Sequence, residues 1–411
     1  MTTAARSSRS KVLGAAALLA GSVLVHAGNY GFNLVAVRTL TPAQYADVAL
    51  AVTLLLIAGF ITLGFQLATA RTVAEQVADA SASQSVASWL SGRAFRLGCL
   101  IGATTLALSP LLQSTFQTES VGPFVAIGVA MPWALLSGVR RGFVQGMQRF
   151  GKLALSFQAE MVARVAVGAG LMYAGFGVIG GVFGLTVSLV AAAVALPATS
   201  TKPVAPAAGL RRAVLRSIWP AIALLLGEAV ITHGDTLIVK QAFDPTTAGE
   251  FAAIALLGRA IFFVTWPVSM LIFPMATRRA AAGEPTRPLL LAAVVVVAVV
   301  GGLATLGAAA APAEVVSVLL GSQYAGVAHW LVPYAAATAL FSVAATALSL
   351  GVAVGRDGAG FAAAAAGAAV VVALAAFHPT IDALLTVELV LMGGYAVGSV
   401  AWAWRITRRH Q

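Results

Sequence analysis

The chain has 411 residues, of which 60% are hydrophobic and 9% charged, with a formal net charge of +11 and a mean hydropathy of +0.93. Soluble domains are about 45–50% apolar and about 25% charged, so a soluble globular enzyme and a disordered chain are excluded. The single cysteine, Cys99, excludes a disulfide scaffold.

A bilayer core about 30 Å thick takes about 20 apolar residues per helix. The Ala/Leu/Val runs here suit helices, whose backbone hydrogen bonds close internally, rather than barrel strands of about ten residues. In chain order they predict an all-α membrane protein of twelve spans. The first six lie near 12–37, 46–70, 93–113, 121–139, 153–174 and 177–197. The second six lie near 217–239, 249–275, 288–311, 327–354, 359–377 and 382–403.

Span 1 carries His26, Asn29, Tyr30 and Asn33, spaced to share one helix face. Its apolar run continues to Val37, which is long for a cleaved signal peptide. Span 2 adds a weaker stripe of Thr62, Gln66 and Thr69. In span 5, Glu160 and Arg164 stand four apart and can pair along the helix. Span 7 carries Glu228, Thr232 and Asp235 on one face, and span 8 carries Arg259. Glu228 and Arg259 are equidistant from the intervening turn. At ~1.5 Å per residue both lie roughly 23 Å from it, near mid-membrane, so Glu228 is the expected partner of Arg259. An ionised side chain at mid-bilayer costs about 2.5–3.5 kcal/mol on insertion scales, so these groups either serve a polar cavity or hold helices together.

Two motifs resemble nucleotide sites. Gly175-Phe-Gly177-Val-Ile-Gly180 spells a dinucleotide fingerprint. It joins two membrane helices without a preceding strand or a downstream acid, so it reads as a turn. Gly146 to Lys152 approaches a P-loop but ends in Leu153, where a hydroxyl is needed for magnesium. The histidines and Cys99 have no metal-ligand spacing. No cofactor, metal or catalytic residue is expected.

Nearly all of the 25 basic residues fall in alternate links. Arg6, Arg9 and Lys11 precede span 1. Arg71, Arg93 and Arg96 flank the second link, and Arg140, Arg141, Arg149 and Lys152 the fourth. Lys202, Arg211, Arg212 and Arg216 lie in the sixth, and Arg278, Arg279 and Arg287 in the eighth. Arg356 is in the tenth, while Arg405, Arg408 and Arg409 form the tail. Arg38 and Lys240 lie on the other side. The positive-inside rule then makes both termini cytoplasmic in a plasma (inner) membrane, and the charge marks topology rather than a nucleic-acid partner.

The chain also repeats itself. Val37-Arg38, Thr41-Pro42 and Tyr45-Ala46 match Val239-Lys240, Asp244-Pro245 and Phe251-Ala252. Ala68 to Arg71 matches Met275 to Arg278, and Leu111 to Phe116 matches Leu319 to Tyr324, at offsets drifting from 202 to 208. Two parallel six-helix lobes follow, 1–197 and 217–411, joined by a cytoplasmic linker over 198–216. His26 then corresponds to Glu228 and Asn33 to Asp235, as two walls of a central cavity.

Three segments carry a family resemblance. They are Asn33 to Pro42 with Tyr45, Arg141-Gly142-Phe-Val-Gln145-Gly146-Met-Gln-Arg149-Phe150, and Asp235 to Lys240 followed by Gly249 to Ala252 and Leu257-Gly258-Arg259. In order, over essentially the whole chain, they resemble a polysaccharide-type member of the multidrug/oligosaccharidyl-lipid/polysaccharide exporter superfamily. The resemblance implies a two-lobed, V-shaped alternating-access flippase rather than an enzyme. Such a carrier turns a polyprenyl-(pyro)phosphate-linked oligosaccharide or polysaccharide precursor to the outer leaflet for cell-surface glycan synthesis. Arg164 and Arg259 are then the candidate phosphate contacts. Asn29, Asn33 and Gln66 would meet hydroxyls, with His26 and Tyr30 on the same wall. Glu160, Glu228 and Asp235 are left for coupling to H+ or Na+, or for holding the cavity. Membrane lipids and polysaccharide-synthesis enzymes are the implied partners. The competing readings are a multidrug or organic-cation antiporter on the same scaffold, a membrane-embedded glycan polymerase or glycosyltransferase, and a scaffold that recruits wall-synthesis proteins.

In a Cys99→Ser background, cysteines at Ser8 and Gln411 should be shielded from an impermeant thiol reagent in intact cells, and one at Thr246 labelled. Labelling of position 411 would overturn the topology.

Overall fold

Helices make up all the regular structure among the residues that the computed structural model describes, which are 21, 23–76, 79–198, 208–353 and 358–408. They are α1 (23–39), α2 (Pro42–Glu75), α3 (Ala80–Ala107), α4 (Ser109–Phe116), α5 (Gly122–Gly146), α6 (Phe150–Ala163) and α7 (Gly177–Val194). There follow α8 (Ala208–Ala242), α9 (Pro245–Ala281), α10 (Arg287–Ala310), α11 (Pro312–Leu319), α12 (Leu331–Ala353), α13 (Gly358–Ala376) and α14 (Ile381–Arg408). Two π-helical segments, Arg164–Ala169 and Met172–Phe176, follow α6, and a 3₁₀ segment, Ser322–Trp330, leads into α12. Arg6, Ser8, Arg9, Lys11, Lys202, Arg356, Arg409, Gln411 and much of the expected linker lie outside the described residues.

Seven stretches among the described residues are long and apolar enough to cross a membrane. An eighth is reached if α3 and α4, bent by 63° where they meet, form one broken span. One of the seven, Phe150–Val194, runs for 45 residues. It covers both the fifth and the sixth expected spans, and Gly175 and Gly177 interrupt it at φ +91° and +55°. Left-handed backbone of this kind favours glycine, so the dinucleotide-like motif is a turn, as its setting implied.

The chain forms two compact units, Met1–Ala229 and Val230–Gln411. In the first, α5 is the central helix, packed against α2, α3 and α7. In the second, α12 takes that place against α9, α10 and α14. A short helix follows the third long one in each, α4 after α3 and α11 after α10. The matched segments around the first turn and at the end of the second long helix fall on equivalent elements of this scheme. The last match does not, because Leu111–Phe116 lies within α4, whereas 319–324 runs from the last residue of α11 into the 3₁₀ segment.

The matched turns are built from capping chemistry. Thr41 accepts from the Gln44 amide at 3.3 Å while the Gln44 side chain accepts from the Thr41 amide, and Pro42 opens α2. Asp244 takes the amides of Thr246 and Thr247 before Pro245 opens α9. The Thr247 hydroxyl, with those amides, holds the Asp244 carboxyl below its ordinary range. A proline at the first helical position has no amide left to satisfy, so cap and proline together fix where each helix starts.

Gly138, Gly142 and Gly146 line the face of α5 that meets α2. A Cβ at these positions would run into backbone oxygens of Thr62, Gln66 and Ala70 respectively. Small residues at four-residue spacing let two membrane helices approach backbone to backbone. Gly142→Val should therefore separate α2 from α5 and destabilise the first unit by about 1–3 kcal/mol, the range for overpacking. Thermal unfolding in detergent should show the loss, whereas Gly151→Val, where a Cβ meets nothing within 4 Å, should unfold like wild type.

Candidate functional site

The first unit contains a partly open cavity of about 520 Å³ among α1, α2, α5, α6 and α7. Its volume is in the range of about 300–1,000 Å³ that holds small-molecule ligands. His26, Asn29, Gln66, Glu160 and Arg164, all expected at a site, line it. Tyr30 and Asn33 are not lining residues, and Asn33 donates its side-chain amide to the Asn29 carbonyl on its own helix at 2.9 Å. In the polar stripe on α2, Thr62 and Thr69 donate to carbonyls one turn back, while Gln66 reaches Gln145 on α5 at 2.8 Å.

Glu160 is the hub of this cavity. Its Oε1 accepts from Arg164 Nη2 at 2.8 Å, the expected pair along the helix, and its Oε2 accepts from Arg141 Nη2 at 2.7 Å. Arg141 was placed with the cytoplasmic flank by its neighbours Arg140, Arg149 and Lys152. It is instead buried, 6% exposed, within α5. Hydropathy ended span 4 at residue 139 because the double arginine breaks the apolar run, yet α5 continues to Gly146 with Arg141 turned inward. Its Nε donates to Ser156 Oγ at 2.9 Å, and its guanidinium lies 4.0 Å from the centre of the Phe157 ring. Ser156 Oγ in turn donates to the Ala192 carbonyl at 2.8 Å, which ties α6 to α7. Arg140 also turns to protein, donating to the Ala193 carbonyl at 2.8 Å.

Arg164 is held differently. Its Nη1 donates to Asn29 Oδ1 on α1 at 3.0 Å, and it is the first residue of the π segment Arg164–Ala169. Such wide turns occur mostly as single-turn bulges inside α-helices, frequently at functional sites. Here α7 accommodates the segment through glycine, since a Cβ at Gly184 would strike the Cα of Gly168. Among the described lining residues, two guanidiniums against one carboxylate leave a formal surplus of one positive charge.

The second unit contains a polar cluster of another kind. Arg259 Nη2 donates to Asp235 Oδ1 at 2.7 Å, to Asp235 Oδ2 at 3.0 Å and to Thr236 Oγ1 at 2.7 Å. The sequence pointed to Glu228 as partner; the structure shows an ion pair with Asp235, two turns further along α8. A helical side chain leans toward the N-terminus of its own helix. For Arg259 that direction runs back toward the turn between α8 and α9, and so toward the acid nearer that turn. Tyr334 on α12 donates its hydroxyl to Asp235 Oδ2 at 2.6 Å. A Cβ at Gly258 would strike its ring, so the glycine beside Arg259 makes room for this tyrosine. Glu388 on α14 is buried within electrostatic reach of Asp235 and Arg259, and its Oε2 has no hydrogen-bond partner. Glu388 was missed although a lone acid in an apolar run carries the same signal as Glu160. Tyr334, one aromatic among many, carried none.

With the geometry established, comparison with known proteins identifies the family. Residues 12–279, well over half of the chain, match the family described as "Polysaccharide biosynthesis protein", and the chain belongs to it. No match was found among curated proteins. Among solved structures, the chain resembles an inward-facing multidrug resistance MATE family transporter of the MOP superfamily, with a TM-score of 0.73 at 14% identity, over 93% of this chain and 94% of that one. It also resembles the lipid II flippase MurJ in an inward closed conformation, with a TM-score of 0.74 at 9% identity, over 95% of this chain and 87% of that one. The protein therefore has the helical membrane fold of MOP-superfamily transporters.

Removing one member of a buried ion pair costs about 3–5 kcal/mol because the other charge is stranded. Asp235→Asn should lower stability by about that amount, and adding Arg259→Gln should restore most of it. Thermal unfolding of the two single variants and the double variant gives the coupling; strict additivity would mean that the pair is not a unit.

Proposed function

We propose that this protein is a flippase that carries a polyprenyl-linked oligosaccharide or polysaccharide precursor from the inner to the outer leaflet of the plasma membrane. On this reading its twelve spans form two six-helix bundles with both termini in the cytoplasm. The observation that carries it is the surplus positive charge of the first unit's cavity. A sugar-phosphate head group cannot cross about 30 Å of hydrocarbon unaided, and a cavity combining guanidinium with amide side chains replaces water for both phosphate and hydroxyls. Arg164, bonded to the neutral acceptor Asn29, is the phosphate contact. Asn29, His26 and Gln66 face the sugars, and the prenyl tail stays in lipid.

Arg259 leaves the list of phosphate contacts. Its Nη2 already bonds both oxygens of Asp235 and the Thr236 hydroxyl. One guanidinium there faces two buried carboxyls, Asp235 and Glu388, and this cluster is the place for a coupling H+ or Na+. Polysaccharide-synthesis enzymes would supply the cargo and receive it.

An organic-cation antiporter would need an available acid in its cavity. Glu160, the sole carboxylate lining the described cavity, already holds two arginines.

The test is flipping of a lipid-linked glycan in proteoliposomes. Arg164→Gln should still insert and fold, because Arg141 still pairs with Glu160, yet lose at least tenfold in flipping rate. Wild-type flipping by this variant would remove Arg164 from the path. Efflux of organic cations by wild-type protein that flips no lipid would favour the antiporter.

A further inference from the structure

We propose that the second unit holds one anionic phospholipid where α10 begins and α14 finishes, with its phosphate on Arg287 and its acyl chain along the exposed stripes of those two helices. This requires only that α10 and α14 cross the membrane, and it is independent of the flippase reading.

Both helices are long and apolar enough to cross. At ~1.5 Å per residue the 24 residues of α10 run ~36 Å, against a hydrocarbon core of about 30 Å. Arg287, its first residue, therefore lies at head-group level, at the end that the charge pattern assigns to the cytoplasm. Trp404 stands near the end of α14, and the Arg287 guanidinium lies 4.7 Å from the centre of its ring. Tryptophan favours this level of a bilayer, where its ring meets hydrocarbon and its edge meets water. Each helix carries exposed apolar residues that lead to this pair. On α10, Leu291, Val295 and Val299 follow Arg287 at four-residue spacing, so they share its face. On α14, Val390 and Val397 precede Trp404 at seven-residue spacing, again on one face. The two helices pack together, with Leu290 and Ala403 in the shared core and Trp404 against it. Two apolar stripes thus end on one cation and one aromatic ring.

The charges at that point call for an anion. Arg287 occupies the first position of α10, where the helix end is already positive, so the helix opposes the guanidinium rather than stabilising it. Thr286, the N-cap, makes no capping bond, and its hydroxyl is buried without a partner. Arg287 Nε and Nη2 are buried without an acceptor as well, which leaves Nη1 to meet a ligand while Trp404 holds the group in place. Among the described residues Arg287 forms no ion pair, and the acid nearest to it in sequence, Glu284, faces Arg279 at 3.8 Å. Arg405, next to Trp404, is exposed and adds to the positive field. One phosphate meets the guanidinium and the helix end together. An anionic head group suits the site better than a zwitterionic one, because it brings no ammonium into that field.

Phosphatidylglycerol and phosphatidylcholine would be titrated into the full chain in detergent, and the first bound lipid counted by native mass spectrometry. Wild type should bind phosphatidylglycerol about fivefold or more tightly than phosphatidylcholine, and Arg287→Gln should erase that preference. Arg279→Gln removes the same charge from the same end of the unit and should leave the preference intact. Equal binding of the two lipids by wild type overturns the proposal, whether or not the variants fold. Equal losses in Arg287→Gln and Arg279→Gln also overturn it, since they mean diffuse attraction to a basic surface. Displacement of phosphatidylglycerol by inorganic phosphate, or by a short prenyl phosphate, overturns the phospholipid assignment in favour of a free anion or of cargo. Asp357 lies outside the described residues, beyond the end of α12, which packs on both helices. Tighter binding of phosphatidylglycerol by Asp357→Asn would make that acid the partner of Arg287 and overturn the proposal too. None of these outcomes touches the flippase reading, which Arg164→Gln tests separately.

Discussion

A carboxylate within a membrane helix must be met by positive charge or it will not stay ionised, and Glu160 is met twice, by one guanidinium on each oxygen. Much of the first unit is arranged around that bridge. The glycine stripe on α5 brings α2 close enough for Gln66 to reach Gln145. Arg141 then comes inward from α5, and Ser156 and Phe157 on α6 fix its guanidinium. Arg164 completes the bridge from the start of a wide helical turn and reaches across to α1. Helices α1, α5, α6 and α7 are thus tied through one short chain of hydrogen bonds beside a space large enough for a ligand.

The two units share a packing scheme but differ in their polar chemistry. In the first, two cations surround one acid and a cavity adjoins them. In the second, one cation is surrounded by Asp235, Thr236, Tyr334 and Glu388. The common scheme parallels the sequence matches between the two halves.

The helical membrane class was legible in composition alone, since no soluble fold tolerates so few charges. The turns before α2 and α9 were legible because capping residues followed by proline have a local cause. The Glu160–Arg164 pair was legible for the same reason, both residues lying on one helix at a fixed spacing. Contacts between helices were not. Whether Arg141 faces water or Glu160 depends on how α5 is rotated against α6, and no spacing within α5 encodes that. The partner of Arg259 depends on the lean of a long side chain, which a depth measured from the turn ignores. Tyr334 reaches Asp235 from 99 positions away, a separation at which a single sequence carries no periodic signal.

The wide turns after α6 bear on how this chain is compared with its relatives. A turn closed five residues along contains one residue more than an ordinary helical turn, and two such segments occur between Arg164 and Phe176. Against a relative with an uninterrupted α-helix here, the residues before Arg164 and those after Phe176 cannot both keep step without a gap. A gapless alignment that places Glu160 correctly will misplace the faces of everything up to the glycine turn. Residue roles should therefore be carried between relatives separately on the two sides of this stretch.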